Sequence, residues 1–237
     1  MEALRMQVKV DSILFQRAGW ELRASGTFEP GTHLISGSVG SGKSTLALLL
    51  AGLVAPTSGR IIRDGIDKSM LSLQFPEYHV TGETIQDEIR SWGSEVDVIL
   101  RDAEMEGRGS ERVFSLSRGE LKRLHLSCVL AGGHDLLILD EPFSTLDCVQ
   151  KNRLCRRLEE AEKRITIIFT HEQAVLPAVD YIWEMEDGLL TPLGPVAGAI
   201  PHWKGAPAYL TAALEEGALP ENIRLRDAME AICRMHA

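Results

Sequence analysis

The stretch GSVGSGKST, Gly37 to Thr45, has the spacing G-x-x-x-x-G-K-[ST]. Glycines at these intervals let backbone amides turn inward around a phosphate. A helix starting at the lysine adds its positive end to the same anion. In this pattern Gly37, Ser38, Gly40, Ser41, Gly42 and Thr45 belong to the cradle, Lys43 reaches the β- and γ-phosphates, and Ser44 ligates Mg2+. A second group is LLILDEP, Leu136 to Pro142, an apolar strand ending in two carboxylates. Asp140 is placed to hold magnesium through water, and Glu141 to polarise an attacking water as general base. A third is LSRGE, Leu116 to Glu120. Ser117 and Glu120 have capping-box spacing. Gly119 costs conformational entropy in that first turn unless something approaches its backbone closely.

The elements that position these groups are legible as periods. WELRASGTF, Trp20 to Phe28, alternates as a half-buried antiparallel strand does. THLISG leads as a strand into the glycine loop, and Lys43 to Leu53 reads as a buried helix. SGRIIRDG and MLSLQF are short strands. Glu83 to Arg101 has helical spacing through Ile85, Ile89 and Trp92, and a loose segment follows. After Glu120, a helix carries Leu121, Leu124, Cys128 and Ala131 on one face and stops at Gly132-Gly133. LLILD and ITIIFT are continuous apolar runs separated by a helix, the pattern of a parallel sheet covered on both faces. The alternation predicts an α/β protein. Beyond Pro192 the composition turns to Gly, Pro and Ala, followed by two short helical stretches.

With 237 residues, 44% hydrophobic and 25% charged, the chain is long enough for one large domain or two small ones. A net charge of −9 disfavours direct nucleic-acid binding. The first ten residues have no signal-peptide pattern, and the longest apolar run, Leu46 to Ala55, is too short for a transmembrane segment. Any membrane role therefore requires a partner. Cys128, Cys148, Cys155 and Cys233 lack metal-site spacing and read as reduced thiols of a cytosolic protein.

The order of motifs resembles the ATP-binding cassette (ABC) family from about residue 4 to residue 192, with LSRGE standing where that family carries LSGGQ. The resemblance implies ATP and Mg2+ as ligands and ATP hydrolysis as the activity. It implies a phosphate-loop NTPase core with a parallel sheet, an N-terminal antiparallel β-subdomain and a helical signature subdomain over about 77–132. It also implies head-to-tail pairing with a second cassette, as homodimer or heterodimer, in which Ser117 and Gly119 meet the γ-phosphate held by the other subunit. That would explain the glycine at 119. Gln74 in LQFP matches the Q-loop glutamine, which reaches toward magnesium and the attacking water. Asp147 in STLD matches the D-loop, His171 in FTHE the switch histidine, and Phe15 the aromatic that stacks on adenine.

LQFPEYHVTGETIQDEI resembles the Q-helix region of energy-coupling-factor (ECF) transporter ATPases, with His79 departing from that branch's usual pattern. Residues 193–237 resemble its C-terminal helical appendage. The branch implies a peripheral subunit at the cytoplasmic face of the membrane, driving uptake of a vitamin or a cobalt or nickel ion. A membrane subunit would dock near Phe75 to Ile89, on Phe75, Tyr78 and Val80 beside Glu77, Glu83, Asp87 and Glu88. The alternatives are a subunit of a conventional ABC importer or exporter, and a catalytically weakened regulatory cassette. Ser117 stands only 43 positions after Gln74, which leaves no room for a coiled-coil arm of the DNA-repair type.

Overall fold

A computed structural model describes residues 6–160 and 164–236 of the chain. Nine strands form one sheet in the order β4-β1-β2-β9-β8-β3-β7-β6-β5. They are β1 (Gln7–Arg17), β2 (Trp20–Phe28), β3 (Gly31–Ser36), β4 (Ser58–Asp64), β5 (Ser69–Ser72), β6 (Leu136–Asp140), β7 (Ile165–Thr170), β8 (Tyr181–Glu186) and β9 (Leu189–Pro195). The run β8-β3-β7-β6-β5 is parallel, and every residue of β6 and β7 is buried. This is the reason those two segments carry no alternation: helices cover both of their faces. The antiparallel part, β4-β1-β2, joins the rest through a single parallel bridge, Arg23 to Leu189.

One face of the parallel strands packs Ile35, Ile138, Ile167 and Phe169 against Leu46, Leu49 and Leu50 of α1 (Lys43–Ala51) and against the β1–β2 hairpin. The other face packs Leu34, Leu139 and Ile168 against α4 (Arg118–Ala131) and α5 (Cys148–Glu159). Between β5 and α4 lie α2 (Ile85–Ser91) and α3 (Val96–Asp102), which build a third cluster around Ile85, Ile89, Ile99 and Leu100. The stretch read as one helical pattern from Glu83 to Arg101 is thus two helices, broken where Gly93 adopts φ +68°. Helix α4 gives Leu121, Leu124 and Cys128 to the third cluster and Leu126 and Val129 to the sheet. Of its expected face, Ala131 in the last turn is exposed.

The C-terminal part follows β9, which runs to Pro195, through α6 (Val196–Ala199) to α7 (Ala208–Glu215) and α8 (Leu225–Met235). Trp203, Leu210, Ala213, Ile223, Ala228 and Ala231 pack in the same cluster as Leu34 and Ile182. The appendage shares the core of the sheet. No helix of the described residues is long and apolar enough to cross a membrane.

Candidate active site

Strand β3 delivers the chain to the glycine loop, and the loop turns because two of its glycines take conformations side chains disfavour, Gly40 at φ +86° and Gly42 at φ +109°. A Cβ at Gly37 would lie 2.3 Å from the Met185 carbonyl oxygen, and one at Gly42 would lie 2.9 Å from the Trp20 ring. Lys43 opens α1, and its Nζ donates to the carbonyls of Gly37 (2.7 Å) and Ser38 (3.0 Å). Burial lowers its pKa, opposed by the carboxylates of Glu141 and Asp140. The ammonium is therefore held in the loop by main-chain oxygens that a stronger anionic ligand can replace.

The two carboxylates after β6 have distinct surroundings. Asp140 is 3% exposed, and burial raises its pKa against a hydrogen bond from the Ser44 hydroxyl. Its Oδ1 is buried without a partner. A carboxylate shared with a phosphate-loop serine, with one oxygen unanswered, suits a magnesium ion that takes its other ligands from water and phosphate. Among the described residues no cluster of three or more His, Cys, Asp or Glu is placed to hold a metal ion. Glu141 stands at φ +48°, a left-handed conformation that costs a non-glycine residue about 1 kcal/mol or more. The turn is held by its amide, which donates to Phe169 O at 2.9 Å. The side chain then accepts from Thr170 Oγ1 (3.1 Å), meets His171 Nδ1 (2.8 Å) and stops 3.7 Å from Lys43 Nζ.

A cleft of about 390 Å³ opens over this group, lined by Trp20, Gly40, Gly42, Lys43, Ser44, Thr45, Gln74, Glu141 and His171. The fold thus brings the phosphate loop, Gln74, Glu141 and His171 together. Ser117, Gly119 and Asp147 are not part of that lining. Ser117 caps α4, accepting from the Glu120 amide while Glu120 accepts from the Ser117 amide. Asp147 caps α5 by accepting from the Gln150 amide at 2.9 Å. The space at Gly119 is bounded in this chain by the Thr145 carbonyl alone, 3.1 Å from where a Cβ would sit. Arg118 points outward, with Glu77 3.9 Å away.

Two expectations change. Phe15 pairs with Leu22 in the β1–β2 hairpin and packs half-buried against the core; the aromatic in the cleft is Trp20. The hairpin turn at Ala18-Gly19 points Trp20 back over Gly42, a placement that strand periodicity alone does not give. The one sequence cue was a large aromatic directly after a turn glycine. Glu88 is not a rim acid: it is 4% exposed and accepts from the Thr81 and Gly82 amides and from Trp92 Nε1.

A family model described as ABC transporter matches residues 23–144. A biotin transport ATP-binding protein, BioM of Rhizobium etli, is 31% identical over 222 residues, covering 81% of this chain and 98% of that protein. The chain belongs to the ABC family. It is also 33% identical over 178 residues to the energy-coupling factor transporter ATP-binding protein EcfA2 of Thermotoga maritima, covering 65% of this chain and 67% of the relative. These relatives make it an ABC ATPase of the ECF type. The solved structure of CbiO1 from Clostridium perfringens, described as part of the ABC transporter complex cbiONQ, superposes with a TM-score of 0.64. It covers 81% of this chain and 89% of its own at 24% identity, a likeness of fold.

Proposed function

We propose that this ABC ATPase binds Mg-ATP in the Trp20-lined cleft and closes head to tail on a second cassette, a copy of itself or a paralogue. ATP turnover then drives an integral membrane subunit at the cytoplasmic face of the membrane, for uptake of a vitamin or a transition-metal ion. The observation that carries this reading is Glu141, held at φ +48° by the main chain and aimed at Lys43 beside His171. A merely structural carboxylate has no reason to be kept in that conformation at the mouth of a phosphate loop.

In this reading the phosphates displace the Gly37 and Ser38 carbonyls from Lys43, and the loop amides take the remaining charge. Ser44 and Asp140 would hold magnesium, which would supply positive charge against the phosphates. Glu141 orients the attacking water and takes its proton, while Gln74 and His171 fix water and γ-phosphate. The Ser117 hydroxyl and the Gly119 amide serve the opposite subunit's nucleotide. For the membrane subunit, Phe75 and Tyr78 are exposed and contact each other edge to face, with Glu83 and Asp87 exposed on the same segment. Apolar anchors beside acids suit a basic cytoplasmic helix.

Glu141→Gln tests the reading. It should retain Mg-ATP binding, lose turnover and let an ATP-bound dimer accumulate in gel filtration. Hydrolysis at the wild-type rate would remove Glu141 from the chemistry. Co-purification from native membranes should bring down the membrane subunit.

A further inference from the structure

From the last residue of β5 onward, three successive residues are each held by a different polar side chain. Ser72 Oγ lies 3.0 Å from His125 Nε2. The Leu73 amide donates to His79 Nε2 at 3.1 Å. Lys122 Nζ donates to the Gln74 carbonyl at 3.0 Å and reaches the Leu73 carbonyl at 3.4 Å. Lys122 and His125 stand three residues apart on α4, so both extend from one face of the helix whose N-terminus holds Ser117 and Gly119. His79 stacks on His125 with ring centroids 4.5 Å apart, and Trp92 closes the cluster edge-on.

The burial makes this arrangement expensive. Lys122 is 0% exposed and His125 5%. A buried ammonium is tolerated only where its charge and donors are answered, and a shape-matched apolar side chain usually serves stability as well or better. What an apolar residue cannot supply is a directed bond to the main chain of Gln74. Burial pushes the Lys122 ammonium down to about 8, opposed by the carboxylates of Asp140, Glu141 and Glu77, which favour the charged form.

We propose that Lys122, supported by His125 and His79, is a positioning residue that fixes the Gln74 main chain to the signature helix, so that α4 and Gln74 move relative to the cleft as one body. The inference rests on the ATPase reading above and deepens it. Under that reading, engagement of α4's first turn by the other subunit's nucleotide is felt at this chain's own Gln74. Each half-site is thereby informed of the other through a single helix.

The test is Lys122→Met, which keeps length and volume and removes the donor, measured by hydrogen exchange and by steady-state kinetics. Exchange at residues 72–76 should accelerate at least about tenfold, with the remaining core amides unchanged. The kcat should fall roughly tenfold to a hundredfold, with Mg-ATP affinity altered less than about threefold. A residue that only stabilised the fold would raise exchange broadly and lower the melting temperature without splitting kcat from KM. Wild-type exchange and kcat in a folded Lys122→Met protein would overturn the proposal. If that variant does not fold, His79→Phe decides: it preserves the ring stack, removes the acceptor for Leu73, and must speed exchange at 72–76. Exchange needs no nucleotide. A wild-type chain that binds no Mg-ATP would therefore sink the ATPase reading while leaving the clamp to be judged separately.

Discussion

Glu120 replaces the glutamine of the family signature, and its extra charge is answered within the chain. Arg108 hydrogen bonds to it, as does the Ser117 hydroxyl, and together they hold its pKa at about 2. The departure from the signature is thus hydrogen-bonded within the chain before any nucleotide arrives, by an arginine shared with Glu111. At position 118 the arginine is 81% exposed on its side chain and turned toward Glu77, so Arg118→Gly should leave hydrolysis within about twofold of wild type. Gly119→Asp should reduce turnover by roughly a hundredfold or more, because under the proposed head-to-tail pairing a carboxylate would stand against the other subunit's γ-phosphate. Steady-state ATPase assays on both variants check this. A large gain from Arg118→Gly would instead mark LSRGE as a weakened half-site. Lys43→Ala should remove nucleotide binding in calorimetry, since a charge-assisted contact to two phosphates is lost. The phosphate loop and the acid pair were legible because their function needs fixed residue types at fixed spacing. Trp20 and Lys122 were not, because their placements depend on a hairpin turn and on a main-chain carbonyl that no spacing encodes.

Among the elements, α4 announces itself through its capping box, and β6 and β7 through uninterrupted apolar residues. β1 was illegible for a physical reason: Ser12 at φ +48° sits in a register shift between Val10 and Ile13, which breaks the period of two. The segment after Gln74 shows the same limit from another side. Its pattern of acids gives no sign that Glu88 is sealed by two amides and an indole while Glu83 and Asp87 face outward. With Glu88 excluded from the rim, the double change Tyr78→Ala with Glu83→Lys touches only exposed side chains. It should uncouple transport in reconstituted vesicles while basal ATPase and melting temperature stay within error. Wild-type transport would rule out this docking surface. Ser117→Ala should cost the start of α4 about 1 kcal/mol, measured by denaturant unfolding.

For the whole molecule, acid should be the vulnerable side. Burial drives the His33 pKa down to about 4, and its ring is committed to the fold as a neutral group between the Glu29 carbonyl and Trp183 Nε1. His125 is likewise pushed well below the ordinary range by burial. Both folded-state values lie below those of the unfolded chain, so the unfolded state binds more protons as pH drops below about 6.5. Stability is then full above that pH and falls on acidification, by up to about 1.4 kcal/mol per pH unit for each histidine. Melting curves between pH 7 and pH 5 should show the decline, and His33→Gln should flatten it. An unchanged slope would clear His33. The order of strands has one more effect, on how the protein is born. β3, which carries the phosphate loop, is flanked by β7 and β8, and its register partner for Gly31 is Ile165. During synthesis the loop must wait for about 130 more residues, on the order of ten seconds at the ribosome, before either neighbour exists. Nascent chains halted before Ile165 should therefore fail to retain ATP, and the newborn cassette cannot begin consuming ATP until β7 and β8 have been made.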